Sequence, residues 1–486
     1  MDYETIIGLE VHAQLLTKSK MFCRCSADYA SALPNTYVCP VCLGMPGVLP
    51  VINWKAMEYA VMTALALNCA ISEFTKFDRK NYPYPDLMKG YQISQYDTPL
   101  SKGGWLEVEV NGERRRVGIT RVHLEEDVAK LIHRTDPSGE SYSLVDVNRS
   151  GVPLMEIVSE PDLRSAEEAR LYLVKLRSIL QYLGVSTGNM EEGSFRCDAN
   201  ISVRPRGSTG YGAKVEVKNM NSFKAVYHAL AYEAERQKRV LEAGGKLIQE
   251  TRGWVEERVE TVPQRTKEYA HDYRYFPEPD LPPLRLSREW VEELRSLLPE
   301  LPDARRDRFM AQYGLSLYDA TLLTGSKAFA DFFESCIQSP LQRGAVFQRR
   351  AKAVSNWVLG ELSRLLNAAA IELNEAKVSP QHLAQMLDLI DEGALSTTLA
   401  KRVFEDMFYS GKEAQQIIAE KGLTQISETP QLESIVEQVL VTNAQAVADF
   451  KKGKEQALSF LVGQVMRATR GRANPKLVNS LLKEKL

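Results

Sequence analysis

"RVHLEEDVAK", residues 121–130, sets three carboxylates side by side with a histidine two residues ahead of them. In a strand, alternate residues share a face, so His123, Glu125 and Asp127 point one way while Leu124 and Glu126 point the other. Like charges ~4 Å apart repel by about 1 kcal/mol in bulk water and several-fold more near a protein surface. A folded chain therefore needs positive charge at this place. The same design recurs twice. "GLEVHAQL" (8–15) sets Glu10 and His12 against Leu9 and Val11, and "GSFRCDANISVRP" (193–205) alternates Phe195, Cys197, Ala199, Ile201 and Val203 with Arg196, Asp198, Asn200, Ser202 and Arg204. After a Gly-rich loop, "AKVEVKN" (213–219) adds Lys214, Glu216 and Lys218 on a polar side. Solvated surface charge would explain any one of these strands. Several together describe a half-buried sheet with one ionisable face, a pocket for an oxygen-liganded cation and an anionic substrate. Mg²⁺ suits it, being held by one or two carboxylates and by substrate phosphates.

Around these strands the pattern is α+β. "WLEVEVNGERRRVGI" (105–119) is two alternating runs joined at Asn111-Gly112, the signature of a type I′ hairpin. Residues 1 to about 290 mix strands with helices, and from about 295 onward the periods become helical, punctuated by start and stop signals such as Ser379-Pro380, Gly393, Gly411 and Gly422. The Pro-rich "FPEPDLPPLRLS" (276–287) reads as the seam between the halves.

The chain has 486 residues, 44% hydrophobic and 26% charged, the composition of a soluble globular protein of two to four domains. Its opening, MDYETIIGLEVH, is not a secretory leader and no apolar run is long enough to span a bilayer, which predicts a cytoplasmic or organellar-stromal protein. Net charge is −2, yet residues 451–486 hold six Lys and three Arg against two Glu, a local +7. A basic end on an acidic body suits local docking of a polyanion; a solvated helix face is the alternative.

"CRC" (23–25) and "CPVC" (39–42) supply Cys23, Cys25, Cys39 and Cys42, two close pairs separated by a short loop. Four thiolates about 2.3 Å from a tetrahedral Zn²⁺ make a closed structural site, and Leu43-Gly44 after the second pair allows a tight knuckle. Disulfides are the alternative, but nothing marks the chain as secreted. No nucleotide motif is complete: "GSTGYGAKV" (207–215) has Ala213 where a Walker lysine belongs, so it reads as a turn.

Longer stretches carry a resemblance. "IGLEVHAQL", "KMFCRCSADY", "NTYVCPVCLGMPGVLPV", "FDRKNYPYPDLMKGYQISQ", "HLEEDVAK", "PLMEIVSEPD", "MEEGSFRCDANISVRP", "EVKNMNSF", "DYRYFPEPDL" and the closing "FLVGQVMRATRGRANPKLVNSLL" closely resemble the B-subunit family of the tRNA-dependent amidotransferases. The likeness runs over essentially the whole chain. It implies a cradle-shaped mixed α/β domain with an antiparallel sheet (1–293, with the zinc knuckle at 23–42), an all-α helical domain (294–407) and a small helical tail (408–486) that grips tRNA. It also implies a bacterial cytoplasmic ligase. ATP would phosphorylate the side-chain carboxylate of Glu-tRNA(Gln) or Asp-tRNA(Asn), and ammonia made from glutamine by an amidase A subunit would displace the phosphate, a small C subunit completing a heterotrimer.

Resemblance and strand geometry together place Mg²⁺ on Glu10, His12, Glu125 and Glu156, with Asp198, Asn200 and Glu216 as second-metal or nucleotide contacts and Arg196, Arg204 and Lys218 neutralising phosphates. Lys80, Asn81, Tyr82, Tyr84, Lys89, Tyr91 and Gln95 offer aromatic walls and polar tips for the tRNA 3′ end, whose unstacked bases stack on rings; tyrosines filling a core seam are the alternative. Pro83 and Met88 depart from the family pattern in that loop. In the tail, Leu458, Leu461, Val462, Val465 and Met466 fall at helical spacing with Arg467, Arg470 and Arg472 near the helix end, suited to the tRNA backbone.

Overall fold

The computed structural model describes residues 2–110, 112–266, 273–337, 344–423, 429–451, 454, 456–469, 473 and 475–486. The chain divides into two compact units, Met1–Pro302 and Asp303–Leu486.

The first unit is built on a nine-stranded sheet. In chain order its strands are β1 (Tyr3–Gln14), β2 (Ala70–Ile71), β3 (Ser101–Val110), β4 (Glu113–Glu126), β5 (Pro153–Ser159), β6 (Phe195–Pro205), β7 (Val215–Lys218), β8 (Glu250–Val255) and β9 (Glu260–Thr266). Across the sheet the order is β9-β8-β7-β6-β1-β5-β4-β3-β2, antiparallel throughout except for the parallel pair β7·β8. The predicted hairpin joins β3 to β4, with Val110 opposite Glu113 and Gly112 at φ +82°, while Asn111 lies outside the described residues.

Three helices, α1 (Trp54–Ala66), α2 (Ala166–Leu183) and α3 (Phe223–Glu242), share one core with the odd-numbered side chains of β1 and β6. Each begins at a residue whose side chain accepts from free backbone N–H groups of the first turn: Asn53, Ser165 and Ser222. Leu9, Val11, Leu124, Phe195, Cys197 and Ala199 are buried on that face, as alternation predicts. Covering one face with helices leaves the other to the ionisable residues.

The Pro-rich stretch is not a seam. Phe276–Pro277 pairs with Asp78–Asn81, Leu284–Arg285 pairs with Phe74–Thr75, and Leu281 and Leu286 enter the core of the first unit. Proline confines a chain to strand edges and turns, which these short pairings permit.

The second unit is helical. Helices from Pro302–Tyr313 to Ala414–Lys421 enclose one core around Phe309, Phe333, Phe404 and Met407, and helices Thr429–Thr442, Gln456–Ala468 and Pro475–Lys485 enclose another around Val436, Leu461 and Leu482. The boundaries read from the sequence shift accordingly. Position 293/294 lies inside helix Arg288–Ser296, and 407/408 lies inside helix Thr397–Ser410, whose Met407 and Phe408 both belong to the first helical core. Among the described residues no helix is long and apolar enough to cross a membrane.

Candidate functional site

On the uncovered face, strand register makes the site. Arg196 on β6, His12 on β1, Glu156 on β5 and His123 on β4 stand opposite one another in a single cross-strand row, and the next row sets Asp198 opposite Glu10. Paired strands lie about 4.8 Å apart, so short polar side chains in one row meet. His12 Nε2 lies 3.3 Å from a Glu156 oxygen and 3.8 Å from Glu10, and His123 Nε2 lies 3.4 Å from Glu125 and 3.8 Å from Glu156. Two donor sets result, Glu10–His12–Glu156 and His123–Glu125–Glu156, each with ligand atoms within 4.8 Å of one another and with Glu156 in common.

Burial and charge compete here. Burial alone would push the His12 imidazole down, but Glu156, Glu125 and Glu10 outweigh it and hold it up at about 9. Burial would raise Glu156, but His123 and His12 hold it down at about 2. Glu125 is likewise held well below the usual carboxylate range, against burial, by Lys80 and His123. Glu10 goes the other way, raised by burial and by the neighbouring Glu156.

Three carboxylates thus face one small volume, with Arg121 3.5 Å from Glu156 and Lys80 3.9 Å from Glu125 as the nearest permanent cations among the described residues. Buried Nδ1 of His123 has no hydrogen-bond partner among the described residues. Hard carboxylate oxygens in this number fit Mg²⁺, and the cluster's demand for positive charge fits it too.

The crowded carboxylates of residues 125–127 are also balanced from within the protein. Glu125 accepts from Ser94 Oγ at 2.6 Å and Gln92 Nε2 at 3.0 Å; Glu126 accepts from the Ile93 N–H at 2.9 Å and pairs with Lys89 at 2.5 Å. Asp127, beyond the end of β4, accepts from Gln14 and Arg196, both at 2.7 Å. Each neighbouring carboxylate has its own partners, so protein cations and amides carry much of the balance that the sequence assigns to metal alone.

The four cysteines also converge. One Sγ from each of Cys23, Cys25, Cys39 and Cys42 lies within 4.8 Å of the others, and all four are free thiols. The knuckle is a turn in which the Leu43 N–H donates to Cys39 O and Gly44 N–H to Val41 O, both at 3.0 Å, while the Cys39 N–H donates to Cys42 Sγ at 3.1 Å. The hydrogen bond with Cys23 holds Cys42 down at about 4 against burial, and Lys20 adds to the effect. Lys20 is fully buried, its Nζ donating to Tyr37 O at 2.8 Å and Val147 O at 3.4 Å, which leaves a positive charge beside the thiols. Four convergent sulfurs with a buried cation nearby fit a structural zinc.

Residues 5–292 match the GatB/GatE catalytic domain, and residues 331–486 match the GatB domain. Over 486 residues the chain is 58% identical to the B subunit of the aspartyl/glutamyl-tRNA(Asn/Gln) amidotransferase of Dehalococcoides mccartyi strain 195, covering 100% of this chain and 99% of that protein. The chain belongs to the GatB/GatE family. Proteins of the same description from Moorella thermoacetica (58% identical, 100% of both chains) and Carboxydothermus hydrogenoformans (57% identical, 100% of this chain and 99% of that one) are similar over their full length as well.

Of the residues expected to serve a GatB/GatE site, Glu10, His12, Glu125 and Glu156 come together, with Asp198 beside Glu10. Lys218 is bonded to Asp198 and lies 3.3 Å from Glu216, so the ammonium is already shared by two carboxylates. Arg196 is spent on Asp127. Arg204 is not at the cluster: it sits opposite Glu4 and pairs with it at 2.7 Å, six residues along β6 from Asp198, roughly 20 Å at strand rise.

The proposed tRNA-end residues split as well. Lys80 faces Glu125, Tyr82 packs edge-on against Tyr273 at 5.7 Å, and Tyr84 is exposed. Asn81 Nδ2 donates to the Arg274 carbonyl at 2.9 Å. Lys89 and Tyr91 instead line a cavity of about 230 Å³ against the cysteine knuckle. Gln95 is an internal brace, donating to Thr75 Oγ1 and accepting from the Leu124 N–H. Arg467 is exposed on helix Gln456–Ala468, while Arg470 and Arg472 lie outside the described residues. The sequence alone does not assign His123, Arg121 or Tyr273 to the site. His123 shares its strand with Glu125, yet only the β4–β5 register sets it against Glu156.

Proposed function

We propose that this chain is the catalytic, tRNA-handling subunit of an ATP-dependent amidotransferase acting on Glu-tRNA(Gln) and Asp-tRNA(Asn) in a bacterial cytoplasm. The observation that carries it is the pair of carboxylate–histidine sets sharing Glu156 on one face of the sheet. A carboxylate resists amidation because its charge repels a nucleophile and oxide is a poor leaving group, so activation as an acyl phosphate precedes attack by ammonia. Phosphoryl transfer asks for alignment and charge neutralisation more than for covalent chemistry.

Mg²⁺ held by Glu10, His12 and Glu156, with His123 and Glu125 as the adjoining set, would supply neutralisation of the terminal phosphates of ATP. Lys80 and Arg121, at the rim of the cluster, hold positive charge where the aminoacyl carboxylate approaches. Tyr82, Tyr84 and Tyr273 offer ring faces for the unpaired 3′ end. Zinc on the four cysteines keeps the knuckle folded and takes no part in chemistry, a closed four-thiolate site having no open position. Ammonia comes from glutamine through an amidase A subunit, with a small C subunit completing the heterotrimer, and Arg467 contacts the tRNA backbone.

The experiment combines purified chain, with and without the amidase partner, with labelled Glu-tRNA(Gln), ATP and either glutamine or ammonium, following label into Gln-tRNA. Amidation from ammonium is expected to need ATP and this chain, and amidation from glutamine to need the partner as well. A second reading, a noncatalytic tRNA scaffold, draws on the pairing of Glu125 with Lys80 and of Asp127 with Arg196. Glu10→Ala separates the two: an enzyme loses amidation and keeps tRNA affinity, whereas a scaffold keeps turnover.

A further inference from the structure

The stretch "YRYFP" (273–277) enters the fold at the edge of a small three-stranded sheet, ordered Phe276–Pro277, Asp78–Asn81, Tyr91–Ser94. Two points fix its register. Phe276 stands opposite Arg79, while the Asn81 N–H donates to the Tyr273 carbonyl at 2.8 Å. Three steps along one strand therefore match two along the other, so one residue is extra, and Arg274 at φ +43° supplies it. A left-handed residue at such a place makes a bulge, which re-aims the side chain beside it. The Cβ of arginine disfavours that conformation, and Asn81 Nδ2, donating to the Arg274 carbonyl at 2.9 Å, holds it there.

The bulge sets Tyr275 against Lys80, and Lys80 stands opposite Gln92 on the third strand. This row looks onto Glu125. Gln92 Nε2 donates to Glu125 at 3.0 Å, and Lys80 Nζ lies 3.9 Å from it. Two members of the row are thus committed to the cluster, and the third is not. The Tyr275 ring is fixed, lying parallel to Tyr96 with 4.0 Å between centroids and 6° between planes, and edge-on to Tyr273 at 6.1 Å. Its hydroxyl makes no hydrogen bond with any described residue, and the charges it feels are those of Lys80, Glu125, Glu156 and Arg121. Burial keeps the phenol protonated, up at about 12, against the pull of Lys80. A rigid ring with an uncommitted O–H donor at a cluster of charge is built to meet a ligand.

We propose that Tyr275 is a catalytic residue whose hydroxyl donates to the acyl oxygen of the aminoacyl side chain as negative charge develops there during attack by ammonia, with Tyr96 as its positioning residue. The proposal rests on the reading of the carboxylate–histidine face as an amidotransferase centre. In this step the nitrogen lone pair forms the C–N bond while the carbonyl π pair moves onto oxygen. That pair returns as the C–O bond to phosphate breaks, and one N–H proton leaves with the phosphate. Charge on the oxygen is greatest between the two events, so a donor fixed beforehand stabilises the transition state more than the ground state.

The test uses the full chain assembled with its amidase partner and supplies Glu-tRNA(Gln), ATP and ammonium, so that the partner's chemistry is not read. Tyr275→Phe keeps the ring and its stack and removes only the hydroxyl. It is expected to lower kcat about 10²-fold while KM for Glu-tRNA(Gln) stays within about twofold of wild type, the mark of an interaction made only in the transition state. Tyr96→Ala keeps the hydroxyl and frees the ring; a smaller fall in kcat at unchanged KM is expected. A Tyr275→Phe complex that turns over like wild type overturns the proposal. So does a raised KM at unchanged kcat, which marks a uniform contact to the tRNA end. Wild-type complex that forms no Gln-tRNA from ammonium and ATP defeats the amidotransferase reading and this proposal with it, whereas failure of the Tyr275→Phe effect in a complex that turns over defeats the proposal alone.

Discussion

The cysteine knuckle and the carboxylate–histidine face are both clusters of metal-type donors, yet they are assembled in opposite ways. Cys23 to Cys42 span 20 residues of one loop, and the turn from Cys39 to Gly44 closes locally by its own backbone hydrogen bonds. The face draws Glu10, His123 and Glu156 from three strands spread over more than a hundred residues of chain, and only cross-strand register brings them together. A local cluster depends on its ligand filling it; a register-built cluster depends on the sheet.

The strongest way to break that contrast is Glu156→Gln, which keeps the volume and removes the charge both donor sets share. ATP-dependent amidation should fall roughly 10²–10³-fold, the range seen when one electrostatic stabiliser of a transition state is removed, well beyond the loss of folded protein that unpairing His12 and His123 from a buried carboxylate brings. A matching loss of folded protein would instead make the row a structural element. Next comes Cys42→Ser. Zinc content per chain should drop toward zero and thermal stability should fall, since metal binding to such a loop is folding free energy; a variant that melts like wild type would show that the knuckle closes without its ion.

Leu281→Ala tests the Pro-rich stretch, which the sequence pattern presents as a seam and the fold uses as packing. With Leu281 5% exposed in the first core, the substitution should cost about 2–4 kcal/mol in denaturant unfolding, where a linker residue would cost almost nothing. The smallest effect belongs to Arg467→Ala. Binding of tRNA should weaken several-fold, and the slope of log affinity against log salt should become shallower by about one unit; an unchanged slope would remove Arg467 from the tRNA surface.

Much of the site is legible one strand at a time. Alternation in "GLEVHAQL" and "GSFRCDANISVRP" correctly divides core from polar face, because side-chain direction in a strand has a period of two and needs no knowledge of neighbours. Legibility stops where partners matter. Alternation puts Asp127 on the face of Glu125, but β4 ends at Glu126 and Asp127 turns to Arg196 and Gln14. Arg204, on the correct face of the correct strand, lies too far along it and pairs with Glu4. Gln95, grouped with the tRNA-end residues by its neighbours in sequence, is a buried brace to Thr75 and Leu124.

By itself the sequence determined the α+β order, the polar and apolar faces of the strands, the local cysteine knuckle and the likeness to a family. All of these rest on short-range geometry or on long shared stretches. Tertiary structure alone decided which charges meet, since distance along a strand grows by about 3.3 Å per residue while ion pairing acts over a few ångströms. It made Glu156 common to two histidines and spent Arg196 and Lys218 on carboxylates.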